Sequence, residues 1–70
     1  MESRKDRFNR IASKRTNDII NKIRILGNCS NKSTYEYSKE DIDKIFNTLN
    51  QELKRTKDKF SINHRSKFEL

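Results

Sequence analysis

The sequence contains no proline and only one glycine, Gly27, in 70 residues. These two residue types interrupt helices most strongly, so a chain that nearly lacks them either forms long helices or stays disordered. The spacing of the apolar residues decides between the two outcomes, because an amphipathic helix repeats its apolar positions every three or four residues. Both halves of the chain show this spacing, and we therefore predict an all-α protein.

The first half of the chain carries one apolar stripe at helical spacing, with a gap at Arg15 and Thr16. The stripe consists of Phe8, Ile11, Ala12, Ile19, Ile20, Ile23 and Leu26. It predicts a helix over about residues 4–26. Gly27 is expected to end this helix in the left-handed conformation, which glycine adopts at little cost.

The second helix is predicted over about residues 39–60 and has a clear start signal. Ser38 and Asp41 have the spacing of a capping box, and Tyr37 and Ile42 have that of a hydrophobic staple. Acidic residues at 40 and 41 and basic residues at 54–59 match the helix dipole. The apolar stripe of this helix consists of Ile42, Ile45, Phe46, Leu49, Leu53 and Phe60.

Two amphipathic helices in series predict an antiparallel two-helix hairpin, joined by a long polar loop at residues 27–38 and forming one small domain. About a dozen stripe residues make a small core for a chain of this length. We therefore expect the hairpin to dimerise into a four-helix bundle or to dock on a partner. The tail at residues 61–70 extends the second helix, folds back, or stays loose until something binds it.

The chain is basic, with a formal net charge of +7 that is concentrated in two segments. Residues 1–17 carry +4, residues 18–51 are neutral and residues 52–70 carry +3. An antiparallel hairpin would bring both basic segments to its open end, forming a pole that suits phosphate backbones. The alternative is a solvated surface without a ligand.

Seven basic residues are candidate contacts to nucleic acid through its phosphate backbone, with little sequence preference because no groove-reading motif accompanies them. They are Arg7, Arg10, Lys14, Arg15, Lys54, Arg55 and Lys57. Four of these residues, at positions 10, 14, 54 and 57, are expected to flank the two apolar stripes. Tyr35 is an eighth candidate, because its ring could stack on a base or contact a protein. Its alternative role is to cap the end of the bundle.

Catalytic and metal-binding functions are not expected. One cysteine, Cys29, and one histidine, His64, cannot supply the three or four ligands of a zinc site. No cofactor or small-molecule substrate is therefore predicted, and the protein is not expected to be an enzyme. No apolar run exceeds two residues, so we expect neither a membrane span nor an export signal, and we expect a cytoplasmic location with a reduced thiol.

The segment ILGNCSNKSTYEYSKEDIDKIF at residues 25–46, followed by ELKRTKDKF at residues 52–60, resembles a group of very small proteins encoded on bacterial plasmids and phages. The shared pattern is a basic helix, a G-N-x-S-N turn, a Y-x-Y pair and a second helix that ends in a basic stretch and Phe. The resemblance covers about residues 8–60. It implies an accessory role in a mobile element and carries no functional residue with it.

Three functions remain open from the sequence. The first is a non-enzymatic binding protein, dimeric and basic, that binds nucleic acid or a nucleoprotein complex and modulates it. The second is an inhibitor of a host defence nuclease, similar in role to anti-CRISPR proteins, that occupies a surface meant for nucleic acid. The third is a structural assembly module whose charge serves solubility. Binding to free nucleic acid, to a protein alone, or to neither distinguishes the three.

Overall fold

The computed structural model describes the backbone of residues 1–65 and the side chains of residues 1–61. Helix α1 spans Arg4–Gly27, a single 3-10 turn spans Asn28–Ser30, and helix α2 spans Lys39–Arg65. Residues 1–65 contain no β-strand, which confirms the all-α prediction. The chain divides into two compact units, Met1–Glu36 with α1 and Tyr37–Leu70 with α2. The hairpin, the four-helix bundle and the single domain remain predictions.

Helix α1 begins with a serine cap that the sequence analysis did not identify. Ser3 is extended, with φ −74° and ψ 167°, and its hydroxyl accepts a hydrogen bond from the Asp6 backbone N–H at 3.0 Å. The Arg7 N–H donates to the Ser3 carbonyl at 2.9 Å. Asp6 also places a negative charge in the first turn, next to the positive end of the helix dipole. The cap therefore fixes where α1 starts.

The predicted left-handed glycine at the end of α1 is wrong. Gly27 is the last residue of the helix, with a right-handed φ of −58° and ψ of −26°. The Asn28 N–H donates to the carbonyls of Ile25 and Leu26, and the chain tightens into the 3-10 turn. The N–H at the start of this turn donates to carbonyl groups at the end of α1, which in other helices are often satisfied through a left-handed residue. Gly27 therefore does not need a positive φ.

The connection after the 3-10 turn is organised by Asn31. This residue is extended, with φ −71° and ψ 104°, and it ends the helical path. Its side-chain oxygen accepts from the Ser33 N–H at 3.0 Å, while its carbonyl accepts from the N–H groups of Thr34 and Tyr35 at 3.1 and 2.9 Å. Asparagine favours such turns because its side chain imitates a backbone carbonyl. The G-N-x-S-N segment is thus a structural turn.

Helix α2 begins with the predicted capping box. The Asp41 N–H donates to the Ser38 hydroxyl at 3.1 Å, and the Ser38 N–H donates to the Asp41 carboxylate at 2.9 Å. The Ser38 backbone N–H, and then the Ser38 side chain, hold the pKa of Asp41 below its ordinary value. Tyr37 and Ile42 are both half-buried, as a hydrophobic staple requires.

Helix α2 ends at Arg65, five residues beyond the predicted end at about residue 60. No glycine or proline lies between Phe60 and Arg65, so the sequence there contains no strong stop signal. Of the three conformations expected for the tail, residues 61–65 therefore adopt the helical extension. The remainder, residues 66–70, lies outside the described residues.

The apolar stripes of both helices are accessible. Across residues 1–61 no side chain is fully buried. The half-buried members of the stripes are Ile11, Ala12, Leu26, Ile42 and Leu49. Lys5 covers part of Phe8, with its ammonium 5.6 Å from the ring centroid. In the part of the chain that the structure describes, neither helix has the length and hydropathy needed to cross a membrane.

Candidate nucleic-acid interface

Three of the predicted contact residues form one continuous surface on α1. Arg7, Arg10 and Lys14 lie at positions i, i+3 and i+7, and at about 100° per residue they fall within about 60° of each other around the helix. All three are exposed. Their Cα atoms span about 10 Å along the axis. We call these three residues the α1 basic face.

The α1 basic face extends from the edge of the apolar stripe to the far side of the helix. Arg7 lies four residues before Ile11 and Lys14 three residues after it, so both are within about 60° of that stripe residue. Arg10 is about 160° around the helix from both Phe8 and Ala12. Lys14 therefore lies beside the stripe, whereas Arg10 lies on the far side of the helix. As a consequence, Arg10 stays open to a ligand when α1 packs through its stripe, while Arg7 and Lys14 border the packed face.

Arg15 belongs to a different surface from the other α1 candidates. It follows Phe8 by seven residues and precedes Ile19 by four, so it occupies the gap in the apolar stripe. An arginine in such a place contributes its aliphatic stem to packing and keeps its guanidinium in water. Arg15 is therefore not part of the α1 basic face.

The guanidinium of Arg10 holds a carboxylate. Arg10 Nε donates to Glu2 Oε1 at 2.8 Å, and Nη2 donates to Oε2 at 3.0 Å. This contact lowers the pKa of Glu2 and raises that of Arg10. The Arg10 side chain is still 63% exposed. A two-pronged contact of this kind is also how arginine binds phosphate, so Glu2 occupies the groups that a phosphate would use.

Lys14 is paired as well, whereas Arg7 is not. Lys14 Nζ lies 3.1 Å from Asp18 Oδ2, and the lysine side chain is 78% exposed. Arg7 makes no ion pair with any residue that the structure describes. Exposed ion pairs contribute only about 0–1 kcal/mol. Glu2 and Asp18 therefore reduce the charge of the α1 basic face without blocking it.

The three candidates on α2 do not share one face. Lys54 and Lys57 are neighbours at i and i+3, while Arg55 points about 100° away from Lys54 and contacts Glu52 at 3.0 Å. Lys57 lies at the edge of the α2 stripe, about 60° from Phe60. Lys54 lies further round, on the polar side of the helix.

Tyr35 lies in the turn after α1, and half of its surface, 50%, is exposed. Its backbone N–H is held by the Asn31 carbonyl, so the turn presents the ring from a fixed backbone. This geometry permits stacking on a ligand, and Tyr35 remains a candidate contact. Cys29 is an exposed free thiol in the 3-10 turn.

The signals for two of these features were present in the sequence. Ser3 and Asp6 have a cap-like spacing, and the helical repeat already separates Arg15 from Arg7, Arg10 and Lys14. The Glu2–Arg10 contact had no such signal, because its eight-residue separation crosses the start of the helix. Within residues 1–65 no three His, Cys, Asp or Glu side chains are grouped so that they could hold a metal ion.

Comparisons with protein-family models, with curated proteins and with solved structures gave no match for this chain. The resemblance to small plasmid and phage proteins, and the pole formed by both basic segments, therefore stay predictions. Of the basic surfaces on α1 and α2, the α1 basic face is the most continuous.

Proposed function

We propose that the protein binds nucleic acid and contacts the phosphate backbone through the α1 basic face. The observation that carries this proposal is the position of Arg7, Arg10 and Lys14, exposed together within about 60° of each other around α1. A ligand can reach Arg10, on the far side from the stripe, whether or not the stripe is packed against another helix.

The chemistry of the α1 basic face suits phosphate. Two guanidinium groups supply paired donors that match phosphate oxygens, and the ammonium of Lys14 adds a mobile positive charge. A span of about 10 Å along the helix is enough to reach a few successive phosphates of one strand, which rise about 3.4 Å each in a duplex. Contacts of this type position a protein on nucleic acid and give little base preference.

The remaining architecture is part of the same proposal. The two helices form an antiparallel hairpin in one domain, and two chains form a four-helix bundle, which places two basic faces on one particle. Lys54, Arg55 and Lys57 add secondary contacts, and Tyr35 stacks on an exposed base. Two sites on one particle bind a long nucleic acid more tightly than either site alone. The protein acts in the cytoplasm as a non-enzymatic accessory of a mobile element.

The charge favours this function over inhibition of a defence nuclease. A nuclease surface that holds nucleic acid is itself positive, so a chain of net charge +7 would be repelled from it. An inhibitor with this charge would need an acidic patch elsewhere on the nuclease. Free nucleic acid offers uniform negative charge and needs no such patch.

The test is a set of binding isotherms by fluorescence anisotropy with labelled DNA and RNA, both duplex and single-stranded, over a range of salt concentrations. The variant replaces Arg7, Arg10 and Lys14 with glutamine. If all three contact phosphate, the log–log salt slope falls by about 2.7 for duplex DNA or about 2.1 for a single strand. A matched control replaces Lys22, Lys44 and Lys59 with glutamine, which removes the same charge elsewhere.

Equal losses in the variant and its control would show that net charge, and not the α1 basic face, drives binding. Wild-type protein that binds no nucleic acid at low salt would contradict the proposal. Capture of a purified nuclease in that case would support the inhibitor, and binding to neither would leave the assembly module.

A further inference from the structure

Helix α2 carries a seam of the kind that pairs two helices. Its apolar residues follow a heptad pattern in which steps of four and three alternate, with Thr56 at one position. The seam consists of Ile42, Phe46, Leu49, Leu53, Thr56 and Phe60. Phe46, Leu53 and Phe60 are 48%, 56% and 55% exposed. An apolar seam with this much exposed surface gains free energy when it is covered.

The charge of α2 is divided along its length. Residues 39–50 hold three acidic and two basic residues, whereas residues 51–65 hold five basic and two acidic residues. A parallel pair of such helices would set the basic half against the basic half. An antiparallel pair sets each basic half against an acidic one, which is electrostatically complementary. We propose that α2 pairs antiparallel with α2 of a second copy of this chain.

One register gives every seam residue a partner. When the two-fold axis passes beside residue 51, Leu49 packs against Leu53 of the second copy. Phe46 then faces Thr56 of that copy, and Phe60 faces Ile42 of that copy. Each phenylalanine thereby meets a smaller side chain, an arrangement that fills space between helices without overpacking. The seam extends over about 27 Å of helix.

Charged residues along the edge of the seam determine how the two α2 helices are oriented relative to each other. Asp43, Asn50 and Lys57 follow each other at seven-residue intervals along one side of it. In the antiparallel register Asp43 of each copy lies beside Lys57 of the other, so symmetry forms this pair twice. Glu52 meets Glu52 of the second copy near the axis. Arg55, 3.0 Å from Glu52 within the same chain, reduces that repulsion.

Charge reversal at Asp43 and Lys57 tests this arrangement, and the readout is self-association measured by sedimentation equilibrium at low salt without nucleic acid. Asp43→Lys and Lys57→Asp each replace two attractive pairs by two repulsive ones and should weaken the dimer about tenfold. Mixing the two variants in equal amounts restores every pair and should recover wild-type association. The double variant, with both reversals in one chain, should recover it as well.

Two control variants make the same charge changes on the opposite side of α2. Asp58→Lys matches the first variant and Lys44→Asp matches the second, and both should associate as the wild type does. Circular dichroism shows whether each variant is still helical.

Three results would overturn the proposal. Mixed variants that stay apart would show that Asp43 and Lys57 do not meet across the interface. An Asp43→Lys variant that associates normally, beside a weakened Lys57→Asp variant, would indicate a parallel pair in which Glu52 faces Lys57. A wild-type protein that remains a helical monomer at its highest soluble concentration would show that α1 of the same chain covers the seam.

Discussion

Helices α1 and α2 are both long and amphipathic, yet they distribute their charge in different ways. In α1 the basic residues Arg7, Arg10 and Lys14 form one face that runs from the edge of the apolar stripe to the far side of the helix. In α2 the charge changes sign along the axis, and Asp43 and Lys57 lie beside the seam. A cluster of charges of one sign attracts an external ligand of the opposite sign, whereas charges of both signs beside a seam select the partner helix.

Charged residues therefore serve two purposes in this small chain. We infer that α1 provides the ligand surface and that α2 provides the association surface. Variants that change one helix at a time show whether the two surfaces are separate.

The largest effect is expected at Leu49, a half-buried residue in the middle of the α2 seam. Leu49→Asp places an unpaired charge among apolar side chains and should cost about 2–4 kcal/mol of unfolding free energy per chain, together with self-association. Thermal melts followed by circular dichroism measure the loss. Gln51→Asp, on the opposite side of α2, is the control and should change little. An unchanged melt for Leu49→Asp would place residue 49 in water.

The two helix caps should differ in strength. Ser38→Ala removes one hydrogen bond and leaves the other half of the capping box without its partner, so it should cost about 1 kcal/mol. Ser3→Ala removes a single bond at the start of α1 and should cost less. Chemical denaturation of both variants gives the comparison. A larger loss for Ser3→Ala would mean that α1, and not α2, limits the stability of the chain.

Removing the carboxylate that contacts Arg10 should strengthen ligand binding. Glu2→Gln weakens the competitor at the α1 basic face, and since exposed ion pairs are weak, affinity for nucleic acid should rise only about two- to fivefold. Glu36→Gln removes the same charge from the turn before α2 and is the control. If the two variants gain affinity equally, the Glu2–Arg10 contact has no specific effect on binding.

The smallest expected effect is a loss of helicity at low pH. The pKa of Asp41 is held below its ordinary value of 3.8 by Ser38, so its contribution to stability is present above that value. It is lost as the pH falls through the lower pKa of the folded state. Helicity should therefore decline slightly on acidification below about pH 4, and less so in Asp41→Asn. Identical acid titrations by circular dichroism would show that the capping box does not couple stability to pH.

The sequence was sufficient to predict the elements that local patterns determine. The start of α2 followed from Ser38, Asp41 and the apolar repeat, since a capping box uses only residues within one turn. The body of α1 followed from its stripe in the same way. The end of α2 was underestimated, because Phe60 is the last apolar residue of the stripe while the backbone continues helically to Arg65.

Other features are compatible with more than one backbone conformation, so the local residue pattern alone does not determine them. Gly27 is compatible with a left-handed end, but the 3-10 turn at 28–30 satisfies the same carbonyls with ordinary backbone angles. The contact between Glu2 and Arg10 requires the chain before Ser3 to lie along the helix, and no helical repeat encodes that path. Of the candidate site, the sequence supplied the residues and, through its helical repeat, the separation of Arg15 from the α1 basic face.

The most direct test is a pair of amide NMR experiments on the isotope-labelled wild-type protein. One experiment titrates a short nucleic acid at fixed protein concentration, and the other dilutes the protein alone. We expect the nucleic acid to shift the amides around Arg7, Arg10 and Lys14, and dilution to shift those between Ile42 and Phe60. Nucleic-acid shifts that are larger in α2 than in α1, or dilution shifts confined to α1, would contradict the separation of the ligand and association surfaces.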